Sequence, residues 1–135
     1  MQRSAHTAAL TAVTLAACGG SEPTRTIDTP PIDTTTLVGT WIGTLDGGSA
    51  ANSYGSSGIT IVLRADSTLT AKATNPLYCD LSDTRWRVTG TQFTANGRDC
   101  DGVVVTFAAP VGTVRLTGTW TASSGRAGTF TIAKQ

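Results

Sequence analysis

After Thr36 the chain alternates apolar and polar side chains with a period of two, in short runs broken by Gly, Asp, Asn and Ser. That is the repeat of a strand with one face buried; a surface helix repeats every 3.6 residues, and no stretch here keeps the helical repeat for long. The segment 37–135 therefore reads as all-β. The runs expected to be strands are 38–45, 58–65, 67–74, 84–90, 92–96, 102–108, 113–121 and 127–134. Joined mostly by tight turns, they make an antiparallel meander. Closing it into a small up-and-down barrel of about eight strands removes the edges on which other chains could pair. A two-sheet sandwich is the alternative.

The alternation also selects the inward face. It carries Trp41 and Leu45; Ile59, Ile61 and Leu63; Leu69 and Ala71; Trp86 and Val88; Phe93; Val103, Val105 and Phe107; Val114, Leu116 and Trp120; and Phe130 with Ile132. Their neighbours are mostly Thr, Arg, Lys and Gln, so the other face is wet. Asp66-Ser67, Gly90-Thr91 and Ala95-Asn96-Gly97 supply turn chemistry, with Asn96-Gly97 the sharpest signal among them.

The first 36 residues follow other rules. Arg3 and the amino terminus precede a run, 7–17, of apolar and small residues that closes on Leu15-Ala16-Ala17-Cys18. A run of roughly 11 residues falls short of the ~20 that a spanning helix needs, which favours a cleaved signal over a membrane span. The closing residues resemble the lipobox of bacterial lipoproteins. The resemblance implies that residues 1–17 are a signal peptide, that the Cys18 thiol receives a diacylglyceryl group, and that cleavage leaves this cysteine as an acylated first residue. Its partner would be the lipid bilayer, and two or three acyl chains hold firmly because each buried methylene contributes ~0.8 kcal/mol. Gly19 follows the cysteine. In diderm lipoproteins an aspartate there signals inner-membrane retention, so its absence points to the outer membrane in such a cell.

Residues 18–36 then read as the lipidated cysteine and a Pro/Thr-rich tether with hardly any apolar side chain, which cannot bury a core. At ~3.1 Å per residue such a segment reaches about 50 Å. With Cys18 taken by lipid, Cys79 and Cys100 are left in an oxidising compartment, and an even remainder points to a disulfide. Two cysteines as metal ligands would lack partners, since His6 leaves with the signal and no CxxC spacing occurs.

Gly39-Thr40-Trp41 on the first strand, followed by a long loop of small residues from Asp46 to Ser57, resembles the opening of lipocalin-like barrels. In that family the tryptophan packs at the closed end, often under an arginine from a late strand, for which Arg115 and Arg126 are the candidates. The resemblance also implies a ligand-holding interior, lined here by Trp41, Trp86 and Trp120, while Tyr54 in the long loop is a candidate contact for a partner or a ring folded over the open end of the core. An eight-stranded barrel is just wide enough either to hold one small ligand or to be filled by its own side chains, and the many bulky inward residues favour filling.

The formal net charge is +1, and from residue 37 onward eight Lys and Arg stand against six Asp, so no nucleic-acid footprint is expected. Catalysis is not expected either. Without histidine in the mature chain the usual triads are unavailable, and a Ser/Lys pair would have to recruit Lys72 or Lys134 from outward positions. Every acidic residue of the domain is an aspartate, nearly all in turns, where capping accounts for them. Asp80, Asp83, Asp99 and Asp101 flank the two cysteines, but Arg85, Arg87 and Arg98 are interleaved and no calcium-loop spacing occurs, so a solvated loop is expected rather than a metal site. No cofactor is implied. The expectation is a lipid-anchored, exported, non-catalytic envelope module that binds a small apolar ligand or an envelope protein; the alternative is a structural or assembly lipoprotein with a packed barrel and no ligand.

Overall fold

The computed structural model describes residues 32–47 and 54–135. The expected signal peptide, Cys18 and most of the segment read as a tether lie outside the described residues. Eight strands follow a short 3-10 turn, Thr34–Leu37: β1 (Gly39–Asp46), β2 (Ser56–Leu63), β3 (Leu69–Ala73), β4 (Ser82–Thr89), β5 (Gln92–Arg98), β6 (Val104–Pro110), β7 (Arg115–Ala122) and β8 (Ala127–Lys134). The 3-10 turn opens ahead of residue 37, capped by the Asp33 carboxylate, which accepts from the Thr35 amide at 2.9 Å.

All strands join one antiparallel sheet in the order β3-β2-β1-β8-β7-β6-β5-β4. Chain neighbours pair except β3 with β4, and β1 pairs with β8 from Trp41↔Lys134 to Asp46↔Thr129. The fold is thus an up-and-down, nearly closed barrel, and the sandwich is set aside. The remaining gap lies between β3 and β4, consecutive in the chain but joined by no regular ladder.

That seam is bridged one contact at a time. The Trp86 amide donates to the Ser67 carbonyl at 2.9 Å and the Leu81 amide to the Ala71 carbonyl at 3.4 Å. Between them, the buried Thr84 hydroxyl accepts from the Leu69 amide at 3.2 Å and donates to the Leu69 carbonyl. A side-chain hydroxyl here does the work of a strand's N–H and C=O. β4 is bent to allow this: its register against β5 shifts between Ser82 and Arg85, and Asp83 adopts φ 49°.

The bulge also corrects the sequence reading at Asn96-Gly97. Those residues lie inside β5, paired with Thr106 and Val105, and the turn comes later, at Asp99–Gly102. A Cβ on Gly97 would sit 2.9 Å from Thr84 Cγ2 and 3.0 Å from the Ser82 carbonyl oxygen. This glycine is needed for close approach to the bulge, not for a left-handed turn.

The core is the inward face expected from alternation: Trp41, Phe93, Phe130, Leu116 and Ile132 are at most 2% exposed. Phe107 and Phe130 meet edge to face at 5.3 Å, and Trp86 stacks on Phe93 at 6.3 Å. Val88, Val103 and Val105 are only partly buried against this core. Val114 departs from expectation outright at 73% exposed, because it precedes β7 and the period of two binds only residues within the ladder.

Strand direction gives the barrel two unlike ends. The 3-10 turn, the β2–β3, β4–β5 and β6–β7 connections and the end of β8 gather at one, hereafter the tether end. There the Trp41 indole donates to the Leu37 carbonyl at 2.8 Å, and the Lys134 ammonium donates to the Thr36 carbonyl at 2.6 Å. The β1–β2, β3–β4, β5–β6 and β7–β8 connections gather at the other, the mouth.

Candidate functional site

The mouth is built from residues far apart in sequence. Asp46 ends β1, Tyr54 and Gly55 lead into β2, Leu77 to Leu81 lie between β3 and β4, Asp99 follows β5, and Arg126 precedes β8. Cys79 and Cys100 are joined by a disulfide with a Cα–Cα distance of 5.6 Å, which ties the β3–β4 loop to the β5–β6 turn. The bridge closes a loop of 21 residues, a constraint on the unfolded chain of roughly 3 kcal/mol.

Three rings stand in series across this end. Tyr54 meets Tyr78 edge to face at 5.4 Å, and Tyr78 meets Trp120 edge to face at 6.1 Å. Each is held by a polar tie to backbone. The Trp120 indole donates to the Asp46 carbonyl at 3.0 Å, the Tyr78 hydroxyl to the Gly55 carbonyl at 2.6 Å, and the Asn75 amide group to the Tyr54 carbonyl at 2.9 Å. The Trp120 tie depends on Gly128, where a Cβ would come within 2.6 Å of the indole nitrogen. Burial pushes the Tyr78 hydroxyl above its usual pKa, with the nearby Asp46 charge acting in the same direction.

A partly buried ion pair sits at the rim. The Arg126 guanidinium donates to the Asp99 carboxylate at 3.2 Å, with the side chains 21% and 9% exposed, and lies 4.6 Å from the centre of the Tyr54 ring. The other Asp99 oxygen accepts from the Asp101 and Val103 amides, so this carboxylate also shapes the turn. Behind the rings lies an apolar cavity of about 50 Å3, walled by Leu45, Ile59, Ala71, Phe107, Trp120 and Ala122. A benzene-sized guest needs about 150 Å3, so this volume admits a few waters or a group of one to two methylene units.

Of the four aromatic residues singled out from sequence, Tyr54 and Trp120 line the mouth cavity. Trp41 is fully buried at the tether end. Trp86 lies against the seam, its indole donating to the Arg64 carbonyl at 2.9 Å, and borders a shallow groove of about 230 Å3 beside Thr34, Val38 and Val88. The arginine expected over Trp41 is absent from that position: Arg126 is at the opposite end, and Arg115 points outward from β7. Sequence reasoning passed over Leu77, Asp99 and Arg126 as mouth residues. The available signal was their common fate as loop residues on the connections that an up-and-down barrel brings to one end.

The aspartates near the disulfide are dispersed. Asp80 pairs with Lys72 at 3.6 Å in solvent and Asp99 with Arg126; among the described residues no three side chains of the metal-binding types stand close enough to share an ion. Among them also, no buried side-chain nitrogen or oxygen lacks a hydrogen-bond partner. A guest in the mouth therefore meets mainly apolar walls and ring edges, while the Tyr78 hydroxyl and the Asp99 carboxylate beside it are already bonded. No family model, no curated protein and no solved structure matches this chain.

Proposed function

We propose that the chain is an exported lipoprotein, anchored through acylated Cys18 and carrying its barrel on the tether 19–36, and that the barrel is a non-catalytic module binding another envelope component at its mouth. The observation that supports binding is the small apolar cavity behind Tyr54, Tyr78 and Trp120, placed at the end opposite to the one the tether enters. Its size favours one short apolar group, such as a branched side chain or the tip of an acyl chain, over a whole lipid tail. Because its walls are mainly apolar, selectivity would come chiefly from shape.

The filled core favours a second reading, in which the barrel is a structural or assembly module without a small ligand. Trp41, Phe93, Phe107 and Phe130 are at most 3% exposed, and Phe107 and Phe130 pack on each other, so bulky rings fill much of the described interior.

Titration with short branched alcohols and short-chain fatty acids separates the two, with tryptophan fluorescence as readout. Saturable quenching that disappears in Trp120→Phe supports the mouth site. No response across the panel, with Trp120→Phe unchanged in fluorescence response, makes the structural reading the better one. Anchoring is tested separately: Cys18→Ala should abolish incorporation of labelled fatty acid, and label on that variant would refute the lipobox reading.

A further inference from the structure

The sequence-level count finds no basic patch, yet the fold sorts the charges by barrel end. At the tether end stand Arg64, Arg87, Arg115 and Lys134, against Asp33 and Asp66. At the mouth the acids lead: Asp46, Asp80, Asp83, Asp99 and Asp101 outnumber Lys72, Arg98 and Arg126, while Arg85 lies midway along β4. Among the side chains of the described residues, the tether end thus carries a surplus of two positive charges and the mouth a surplus of two negative ones. Arg64, Arg87 and Arg115 are exposed, and beside Arg115 the apolar Val114 is 73% exposed on the same end. The described chain also begins at this end, at Ile32.

We propose that the tether end of the barrel docks on anionic phospholipid headgroups of the bilayer that anchors Cys18, which turns the acidic mouth away from that bilayer. The proposal rests on the lipoprotein reading given above. Basic side chains near an anionic leaflet contribute about 1 kcal/mol each, within a screening distance of roughly 8–10 Å at ordinary salt. A net surplus of two then favours the docked orientation by on the order of tenfold. Val114 adds an apolar tip between headgroups, and the negative mouth is repelled by the same surface. A tether alone sets only a maximum distance; the charge asymmetry would set which end looks outward.

The two lysines of the barrel report on the two ends, Lys134 at the tether end and Lys72 near the mouth. The full chain, produced in a bacterium and reconstituted from its membranes, is labelled with an amine-reactive reagent in vesicles of either purely zwitterionic or one-third anionic phospholipid, and each lysine is read by mass spectrometry. Lys134 labelling should fall on the order of tenfold in the anionic vesicles only, with Lys72 unchanged. The protection should vanish at 1 M salt, where screening acts within about 3 Å, and in the Arg64→Gln, Arg115→Gln double variant. Equal Lys134 labelling in both vesicles, protection of Lys72 instead, or protection that appears only on adding anionic cell-wall polysaccharide would each overturn the proposal. The mass of the Cys18 peptide in the same digest reports acylation independently, so loss of the lipoprotein reading and loss of docking are told apart.

Discussion

Replacing Thr84 with Val tests whether one hydroxyl closes the barrel. The substitution keeps shape and β-branching but removes the hydroxyl that meets both the N–H and the C=O of Leu69 at the β3–β4 seam. Thr84 is 6% exposed and Leu69 3%, so water cannot readily replace it. A buried polar group left without a partner costs about 1–3 kcal/mol, and two are left here. The extra methyl of valine returns up to about 1 kcal/mol by burial. The net loss should be roughly 2–3 kcal/mol, or on the order of 10 °C in Tm for a domain of this size. Thr84→Ser, which keeps the hydroxyl and loses a methyl, should cost only about 1 kcal/mol. Urea unfolding followed by tryptophan fluorescence measures both, and amide exchange should show faster opening at Leu69 and Trp86 in the valine variant. If Thr84→Val proves no more destabilising than Thr84→Ser, the seam is held by its backbone bonds alone and the reasoning fails.

Thiol titration of the denatured, unreduced protein should find neither Cys79 nor Cys100 free, and replacing both with alanine should lower stability by roughly 3 kcal/mol; two reactive thiols would contradict the bridge. Trp41→Ala should cost about 3–5 kcal/mol in urea unfolding, since the ring is wholly enclosed; a cost below 1 kcal/mol would mean the tether end is loosely packed. Hydrogen bonds from Thr68, side chain first and backbone second, hold the Asp66 carboxyl below its ordinary value of 3.8. Its folded pKa is thus depressed, so its contribution is complete above the unfolded value and fades as pH falls through the folded one. Asp66→Asn should accordingly flatten stability against pH in the acid range below about pH 4 and leave the slope between pH 6 and 8 untouched, which thermal melts across that range will show.

The eight strands were legible because their signal is local: each run alternates by itself, and Trp41, Ile61, Phe93, Leu116 and Phe130 announce their face without help from distant residues. What failed was local too, but overruled from afar. Asn96-Gly97 carries the composition of a turn, and only the crowding of Thr84 and Ser82 against Gly97 explains why the ladder runs through it. Val114 continues the spacing of Leu116 and Trp120, yet it lies beyond the point where pairing imposes a face. Tyr54 and Trp120 were reachable as mouth residues from loop position and parity. The Arg126–Asp99 pair was not, because its partners sit on different hairpins and nothing in either neighbourhood marks the other. Thr84 was equally invisible, one threonine among many.

The pairing of β1 with β8 has a consequence for how the chain comes into being. The Lys134 ammonium holds the Thr36 carbonyl across a sequence separation of 98 residues. At ordinary rates of translation, 5–20 residues per second, β1 waits roughly 5–20 s for its second neighbour. During that wait β1, β2 and β3 can assemble only as a three-stranded sheet with a bare edge, its apolar face uncovered. Such an intermediate invites edge-to-edge pairing between chains that have not finished folding. The barrel's native edge problem is therefore confined to one short seam, whereas its problem during synthesis is an entire strand, and a holding chaperone acting on β1 would be needed most before β8 emerges.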